Sequence, residues 1–254
     1  MIKILLSGCL GKMGQVITRL SCNYDNLQIV AGVDIKDTDT LDYPVYKDIN
    51  DVSYDIDVII DFSNPSLFDN LLSFALERKI PLVMCTTGLS DNQIDQLKLA
   101  SSKIPVFFSA NMSMGINLLI SLVKKAAITL SDDFDIEIIE KHHNQKIDAP
   151  SGTALLIADS INSVIPKKEY VFDRHSKKQA RTKSEIGIHS IRAGSISGEH
   201  SVIFASNNEI IEINHTALSK DVFGNGALHA SAFLYNKPAG LYTMNHMINN
   251  DRQA

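Results

Sequence analysis

Short apolar segments alternate with helical patterns along the first half of the chain. Five segments rich in Val, Ile, Leu and Phe have the length of buried strands, at residues 2–6, 29–33, 58–61, 82–85 and 106–109. Helical patterns lie between them, at residues 11–24, 65–78 and 91–101. Pro65 stands near the start of the second helix, where proline is tolerated, and Ser90 is a candidate N-cap of the third. Repeated strand–helix–strand units predict a doubly wound parallel sheet covered by helices on both faces.

The pattern changes after about residue 112. The later elements are predicted as a helix over 114–130, a strand over 135–143, a helix from Ser151, strands over 186–191, 201–205 and 210–215, and a helix over 222–235. Strands that follow one another without intervening helices are typical of antiparallel or mixed sheets. The sequence therefore predicts a second α+β domain with a mixed sheet, beginning near Met112.

A glycine-rich turn follows the first predicted strand and opens the first predicted helix. Gly8, Gly11 and Gly14 are spaced G-x-x-G-x-x-G, with Leu10 where the commoner dinucleotide motif has a glycine. Such a turn lets the backbone approach a pyrophosphate, which binds to the N–H groups of the helix N-terminus. Asp34 ends the second strand, where a carboxylate accepts hydrogen bonds from an adenosine ribose. This order of elements predicts a Rossmann-like dinucleotide site rather than a glycine turn beside a surface aspartate.

Lys36 and two later loops are placed where they can add to that site. Lys36 can attract a 2′-phosphate as a point charge, or it can lie solvated on the surface. The loops at 85–88 and 109–115 follow strands of the same sheet. Ligands of open α/β sheets bind outside the carboxyl ends of the strands, although Thr, Gly and Asn are also ordinary turn residues.

The composition is that of a soluble protein. The chain has 29 acidic and 24 basic residues and a formal net charge of −5, which argues against a protein that neutralises many phosphates. No segment reaches about 18 uninterrupted apolar residues, and the N-terminal apolar run stops at Gly8. Cys9, Cys22 and Cys85 are widely spaced, as in proteins of a reducing cytoplasm. We expect a soluble, cytoplasmic protein.

The most concentrated candidate chemistry lies in residues 140–154. This segment holds adjacent histidines, two lysines and then a helix start with Ser151 as N-cap. The helix N-terminus offers donors to an anion, while Lys146 and a histidine add positive charge and a proton-transfer group. The segment therefore favours a site for a carboxylate-bearing substrate that must be protonated. Adjacent histidines without H-x-x-x-H spacing or a nearby cysteine make a metal site a poor interpretation.

The two histidines are predicted to end a strand. Successive side chains of a strand point to opposite faces, so His142 and His143 reach one ligand only where the strand stops. We predict that the strand stops at or just before His142 and that both imidazoles face the cleft between the domains.

Residues 137–154 closely resemble the signature of the 4-hydroxy-tetrahydrodipicolinate reductase family, also called dihydrodipicolinate reductases. The segment reads Glu-Ile-Ile-Glu-Lys-His-His-Asn-Gln-Lys-Ile-Asp-Ala-Pro-Ser-Gly-Thr-Ala. The resemblance extends over nearly the whole chain and includes the glycine turn, Thr86-Thr87-Gly88, residues 110–117, Gly187-Ile-His-Ser-Ile-Arg192 and residues 240–244.

The resemblance implies a reductase of the diaminopimelate route to lysine. It implies hydride transfer from NADH or NADPH to a cyclic, dicarboxylated hydroxy-imine, with loss of water and formation of tetrahydrodipicolinate. At the matching positions, His142 is implied as the general acid/base and Lys146 as a proton donor. His143 and the Gly152–Thr153 backbone are implied as the site for a substrate carboxylate.

The same resemblance implies the cofactor contacts and the assembly. With Lys36 added from its position, the candidate cofactor contacts are Gly8, Cys9, Leu10, Gly11, Lys12, Met13, Asp34, Lys36, Cys85, Thr86, Thr87, Ser109, Ala110, Asn111 and Met112. Residues 1–112 are expected to form the dinucleotide-binding domain, to which residues 221–254 return, and 113–220 the substrate-binding and oligomerisation domain. Family members are commonly homotetramers, so a homotetramer is expected, with no metal, nucleic acid or membrane partner.

The sequence departs from the family pattern at three positions. Cys85 stands where glycine is usual, Ala193 replaces a glycine, and Lys220 stands where arginine is common. We expect the Cys85 thiol to be buried and unreactive rather than redox-sensitive.

Two alternative functions remain at this point. One is another two-domain nicotinamide dehydrogenase, which needs the dinucleotide features but not the anion site beside Lys146. The other is a regulatory module that binds nucleic acid through residues 174–183, which hold five Lys or Arg. That stretch lacks interleaved aromatic residues, so a solvated loop near the entrance for an anionic substrate is the simpler interpretation.

Overall fold

The computed structural model of the chain describes residues 1–36, 38, 40–130 and 133–250. The described strands are β1 Ile2–Ser7, β2 Leu27–Val33, β3 Val45–Tyr46, β4 Val58–Asp61, β5 Leu82–Met84, β6 Pro105–Phe108, β7 Asp135–His142, β8 Glu169–Val171, β9 Glu185–Arg192, β10 Gly198–Ala205, β11 Ile210–Ala217 and β12 Gly240–Tyr242. The described α-helices are α1 Lys12–Ser21, α2 Phe68–Arg78, α3 Asp91–Ala100, α4 Met114–Leu130, α5 Gly152–Asn162, α6 Asp221–Leu234 and α7 Met244–Asn250. The chain divides into two units, one of Met1–Met114 with the segment from Lys220 onward, the other of Gly115–Ser219.

The first unit is built on a seven-stranded parallel sheet. Its strand order is β12-β6-β5-β4-β1-β2-β3, so the chain runs outward from β1 in one direction and then from β4 in the other. The carboxyl ends of β1 and β4 therefore meet at a topological switch point, where open α/β sheets bind their ligands. One buried cluster on this unit joins strand residues to α1 and α6, and another joins them to α2 and α3. The predicted doubly wound parallel sheet is confirmed.

Local signals account for the helix ends in this unit. Ser90 caps α3 with a complete capping box, since its Oγ accepts from the Gln93 N–H and the Gln93 side chain accepts from the Ser90 N–H. Pro65 lies in a 3₁₀ turn, Pro65–Leu67, that leads into α2. The first helix ends at Ser21, earlier than predicted, because residues 22–26 form turns closed by bonds such as Asn23 N–H to Leu20 O.

The second unit is built on a five-stranded mixed sheet. Its order is β11-β10-β7-β9-β8, with β7, β9 and β8 mutually parallel and β10 antiparallel to both of its neighbours. The alternation along β7 puts Ile136 and Ile138 in a core with α4 and α5, which cover one face of the sheet. The predicted α+β unit with a mixed sheet is confirmed.

Some elements were not predicted, and all are short. They are β3, β8 and β12, each of two or three residues, and the seven-residue α7. Such lengths are below what hydrophobic periodicity can identify, and β12 pairs with β6, more than a hundred residues earlier in the chain. Among the described residues, none of the helices combines the length and apolarity needed to span a bilayer.

Candidate functional site

The glycine turn of the first unit is held tightly at the switch point. Gly8 has a φ of +76°, and a Cβ on it would lie 2.5 Å from the Phe62 carbonyl oxygen after β4. Only glycine meets both conditions without strain. The Gly8 N–H donates to the Val33 carbonyl oxygen at 2.8 Å, and the Leu10 N–H donates to Asp34 Oδ2 at 2.9 Å. The turn and the predicted ribose-binding carboxylate are thus joined directly.

An open cleft of about 210 Å³ lies beside this turn. Its lining residues are Gly8, Gly11, Val33, Asp34, Ile35, Phe62, Ser63, Asn64 and Leu67. The cleft combines a helix N-terminus, side-chain-free backbone at two glycines and an acidic side chain, which are the features that a dinucleotide needs. The residues of this unit therefore fit a dinucleotide cofactor.

The other candidate cofactor residues are placed differently. Cys9 and Met112 lie in the core of the unit, with Cys9 fully buried, so their side chains do not line the cleft. Thr86 Oγ1 donates to the buried Asp61 Oδ2 at 2.6 Å, while Thr87 is exposed. Ser109 Oγ donates to the Asn111 carbonyl oxygen, which stabilises the loop after β6. Lys36 and Lys12 are exposed, and Leu10, Met13, Cys85 and Ala110 are the remaining candidates.

Both buried thiols in this unit are protonated at neutral pH. Burial raises the pKa of the Cys9 thiol to about 12, and the charge of Asp34 acts in the same direction. Burial likewise raises the pKa of the Cys85 thiol well above its usual range, with Asp61 adding to it. A thiol that stays protonated is a poor nucleophile. The expected buried, unreactive character of Cys85 agrees with this environment.

In the second unit, three neighbouring strands bring polar side chains to one face. β7 ends at His142, as predicted, and Glu140 and His142 continue the face on which Ile136 and Ile138 form the core. The register pairs His142 with Arg192 of β9, and Glu140 with His200 of β10. Paired residues of adjacent strands project to the same side of a sheet. The same alternation that builds the core therefore builds a polar cluster at the end of the strands.

Glu140 is the centre of this cluster. It is fully buried, and its Oε2 lies 2.6 Å from His142 Nδ1. Arg192 binds it with two parallel hydrogen bonds, Nη1 to Oε2 at 2.8 Å and Nη2 to Oε1 at 2.7 Å. The Ser151 N–H donates to Oε1 at 3.1 Å. Each carboxylate oxygen thus accepts two hydrogen bonds.

These donors keep Glu140 ionised in spite of its burial. Burial by itself raises the pKa of this carboxyl group, because the charged form is poorly solvated. The hydrogen bonds that outweigh burial come, in order of size, from Arg192, Ser190, His142 and the Ser151 N–H. Together they lower the pKa of Glu140 to about 2.

His200 contacts both the His142 ring and the N-cap of α5. The two rings meet edge to face with centroids 5.3 Å apart, and His200 Nε2 lies 3.1 Å from Ser151 Oγ. That hydroxyl oxygen also accepts from the Ala154 N–H at 3.2 Å, as an N-cap does. Burial lowers the pKa of His200 to about 4, and His142 contributes to the shift, so His200 is neutral at pH 7.

The loop from His143 to Pro150 carries the other candidate residues to the same end of the unit. The His143 carbonyl oxygen accepts from the Lys146 N–H, and the Lys146 ammonium lies 2.8 Å from Asp148 Oδ1. That contact lowers the pKa of Asp148. Gly152, the first residue of α5, is exposed, and a Cβ on it would meet no atom within 4 Å. The side of the first turn at Gly152 is therefore unobstructed, and a helix N-terminus is a place where proteins bind anions.

The basic stretch of residues 174–183 is not part of this cluster. Its side chains pair with acids of the same unit: Arg174 with Glu185, Lys177 with Glu169 and Glu185, and Arg181 with Asp135 and Glu137. Asp135 begins β7 and His142 ends it, which separates them by about 20 Å at the usual rise of a strand. These ion pairs hold the stretch at the opposite end of the sheet from His142, which gives no support to the prediction that it lies near the substrate entrance.

The sequence interpretation gave no place in the site to Glu140, Arg192 and His200, which the structure brings together with His142. Glu140 and Arg192 lie in segments that carry the family resemblance, but no role was assigned to them. The spacing Glu140-x-His142 on a predicted strand was a usable signal, because residues two apart share a face. Arg192 and His200 required the strand register. Among the described residues, no group of three or more His, Cys, Asp or Glu is arranged to hold a metal ion.

Comparisons with known proteins agree along the whole chain. Residues 2–112 match the family described as "Dihydrodipicolinate reductase, N-terminus", and residues 115–248 match "Dihydrodipicolinate reductase, C-terminus". The chain is 54% identical over 252 residues to the 4-hydroxy-tetrahydrodipicolinate reductase of Clostridium tetani, covering 98% of each chain. It is 54% identical over 249 residues to the protein of that name from Caldanaerobacter subterraneus subsp. tengcongensis, again with 98% of each chain covered.

Solved structures give the same result. A dipicolinate-bound dihydrodipicolinate reductase from Paenisporosarcina sp. TG-14 matches with a TM-score of 0.82 and 26% identity, over 96% of this chain and 99% of that one. A myo-inositol dehydrogenase from Corynebacterium glutamicum matches with a TM-score of 0.59 and 16% identity, over 94% of this chain and 90% of that one. The second likeness is one of fold alone.

Proposed function

The chain belongs to the dihydrodipicolinate reductase family, and from this we infer that it is a 4-hydroxy-tetrahydrodipicolinate reductase. It transfers hydride from NAD(P)H to 4-hydroxy-tetrahydrodipicolinate and yields tetrahydrodipicolinate and water, in the diaminopimelate pathway of lysine biosynthesis. The observation that carries this conclusion is the 54% identity to a reductase of that name over 98% of both chains.

The substrate is a dicarboxylate, and we propose that the start of α5 binds one of its carboxylates. Gly152 and Thr153 begin α5 at the positive end of its dipole, and the position of a Cβ on Gly152 is unobstructed. Lys146 adds a positive charge from the preceding loop, where its ammonium is paired with Asp148. A substrate carboxylate would take the place of Asp148 beside the Lys146 ammonium. His143, directly after the strand, would complete this carboxylate site.

We propose that His142 and Lys146 move the protons of the reaction. The substrate gains one hydride and one proton overall and loses one water molecule, so the site must deliver a proton. His142 is the general acid/base, with Nε2 as the exchanging atom because Nδ1 is bonded to Glu140. Lys146 is the second proton donor, since its ammonium lies in the loop directly before the proposed binding site for the substrate carboxylate.

NAD(P)H supplies the hydride when it is bound. We propose that the glycine turn at Gly8–Met13 and the N-terminus of α1 hold its pyrophosphate, and that Asp34 binds the adenosine ribose. The direct bond from the Leu10 N–H to Asp34 supports this, because it keeps the carboxylate at the cleft. The loops at 85–87 and 109–112 follow neighbouring strands of the same sheet and are proposed to complete the site.

We further propose a cytoplasmic homotetramer that assembles through the second unit. Cys9, Cys22 and Cys85 are all unpaired thiols, which suits a reducing compartment. The assembly rests on the family resemblance. Light scattering coupled to size-exclusion chromatography tests it: four times the 28.0 kDa of one chain is expected, and a monomer would contradict it.

Two histidine variants test the site. His142→Gln should mainly lower kcat, because a proton-transfer group typically contributes 10²–10⁴-fold. His143→Gln should mainly raise KM for the substrate, as expected of a carboxylate ligand. Steady-state kinetics at saturating NADH separates the two effects. Equal changes of kcat and KM in both variants would contradict these separate roles.

A further inference from the structure

The proton-transfer histidine is held by a carboxylate that makes no contact with solvent. Glu140 lies two residues before His142 on β7, so the two side chains share a face. Besides His142 Nδ1, its oxygens receive two bonds from Arg192 and one from the Ser151 N–H. The arginine and the backbone amide can only donate. A carboxylate, which can only accept when ionised, is the group that satisfies them.

The same contacts determine the proton position on the His142 ring. Because Glu140 offers only lone pairs, the short 2.6 Å contact requires the proton on His142 Nδ1. Nε2 then carries the lone pair of the neutral ring. Next to Nε2 lies Gly198, where a Cβ would approach it to 3.1 Å, so the absence of a side chain there leaves room at that atom.

The Glu140 carboxylate also contacts both the proposed proton-transfer residue and the helix that is proposed to bind the substrate carboxylate. Oε2 of Glu140 bonds to His142, while Oε1 bonds to the N–H of Ser151, the N-cap of α5. Arg192 chelates both oxygens and fixes the plane of the carboxylate. His200 contacts both residues that Glu140 joins: its ring packs edge to face with the His142 ring, and its Nε2 lies within hydrogen-bond distance of the Ser151 hydroxyl.

We propose that Glu140, clamped by Arg192, is the positioning residue of the reaction: it keeps His142 in the Nδ1–H tautomer with Nε2 free for proton exchange, and it aligns the anion-binding start of α5 with that atom. This proposal rests on the proposed function of His142. It assigns a role to two residues that neither donate to the substrate nor accept from it.

Glu140→Gln tests this most directly. The amide has the shape of the carboxylate, but an NH₂ group that donates replaces one of the two oxygens that accept. Oε1 receives two donors that cannot change, the Ser151 N–H and Arg192 Nη2, whereas Oε2 receives Arg192 Nη1 and the His142 ring, which can change tautomer. The amide oxygen therefore takes the Oε1 position, and the NH₂ group loses the Arg192 Nη1 bond, faces His142 Nδ1 and forces the proton onto Nε2. We expect kcat to fall by about 10²–10⁴-fold, the usual contribution of a general acid/base. KM for the substrate should stay close to the wild-type value, because the Ser151 contact is kept.

Glu140→Asp separates positioning from a structural role. Aspartate is smaller, and a purely structural role would make it worse than the isosteric glutamine. A positioning role makes it better, because it still only accepts and preserves the His142 tautomer. Glu137→Gln is the matched control: Glu137 lies on the same strand but on the other face, where it contacts His189 Nε2 and forms an ion pair with Arg181. It should leave kcat unchanged.

The ¹⁵N chemical shifts of the His142 ring, assigned by comparison with His142→Gln, report the position of the ring proton. They do not depend on activity, and they can be measured in the wild-type protein as well as in a Glu140 variant. In the neutral form of the wild-type His142 ring we expect the proton on Nδ1, and in Glu140→Gln we expect it on Nε2. A wild-type Nε2–H tautomer, an unimpaired Glu140→Gln, or Glu140→Asp less active than Glu140→Gln would each overturn the proposal. If His142→Gln itself keeps full activity, the proposed function of His142 has failed instead.

Discussion

At the level of single residues, some parts of the candidate site can be identified from the sequence, whereas the hydrogen-bond partners of those residues lie far away in the chain. The sequence was sufficient to single out His142, His143 and Lys146, because two histidines and a lysine before a helix start form a local signal. It could not show that Arg192 lies 2.7 Å from Glu140, since 52 residues separate them in the chain. Contacts of that kind depend on strand register, which local periodicity does not specify.

Lys146→Met is expected to weaken binding of dipicolinate, a planar dicarboxylate, more than binding of NADH. The lost charge-assisted hydrogen bond typically costs about 1.5–3 kcal/mol, and only the dicarboxylate is proposed to use it. Isothermal titration with each ligand measures the two losses. Lys177→Met is the control, because Lys177 pairs with Glu169 and Glu185 away from the polar cluster. Equal losses for dipicolinate and NADH in Lys146→Met would contradict the assignment.

His200 is expected to make the protein sensitive to mild acid. Its pKa is lowered to about 4 in the folded protein, whereas the unfolded chain has the ordinary value near 6.5. Below pH 6.5 the unfolded state binds the proton and the folded state does not, so stability falls as the pH drops from 6.5 toward 4. Between pH 7 and pH 5 this histidine should account for a loss on the order of 2 kcal/mol.

Urea unfolding at the two pH values and one protein concentration measures that loss. His200→Gln lacks the titrating group, so its stability should change less between pH 7 and pH 5 than that of the wild type. An identical pH dependence in both proteins would show that the burial of His200 is not the cause.

At the scale of elements, the N-terminus of α5 is both a helix cap and the proposed anion site. The N-cap at Ser151 was predicted from the residues before and after it, as was the Ser90 cap of α3. The bond from Ser151 to His200 could not be predicted, because it joins α5 to β10. Both N-caps are serines, but Ser90 contacts residues of its own helix whereas Ser151 also contacts a strand.

Ser151→Ala and Ser90→Ala should separate capping from function. Each variant loses an N-cap bond, which typically costs about 1 kcal/mol of stability. Only Ser151→Ala should also raise KM for the substrate, because fraying of α5 moves the Gly152 and Thr153 N–H groups. Urea unfolding and steady-state kinetics on both variants give the comparison. A KM effect of equal size in Ser90→Ala would show that the change is not specific to α5.

The turn between β1 and α1 and the end of β2 together predict the cofactor preference. Asp34 lies at the cleft and favours a free ribose 2′-hydroxyl, while Lys36 can partly offset its repulsion of a 2′-phosphate. We expect both cofactors to be used, with NADH at least as good as NADPH. The ratio of kcat/KM for the two measures this. A strong preference for NADPH would mean that Asp34 does not bind the ribose.

At the scale of the whole molecule, the two units differ in how fully the sequence specified them. Five strands of the parallel sheet were predictable because they are mostly apolar and alternate with helical patterns, whereas β3 and β12 were too short to be identified. The strand order of the mixed sheet was not predictable, because β7 pairs with β9 and β10 rather than with its neighbours in the chain. The family match covers both units.

The reductase activity itself is tested by a spectrophotometric assay of NADH and NADPH oxidation with freshly prepared 4-hydroxy-tetrahydrodipicolinate. Oxidation should require the substrate, and it should fall by about 10²-fold or more in His142→Gln at saturating substrate. Dipicolinate should inhibit it in competition with the substrate. If the wild-type protein oxidises neither cofactor faster with the substrate than without it, the account of this chain as a 4-hydroxy-tetrahydrodipicolinate reductase is contradicted.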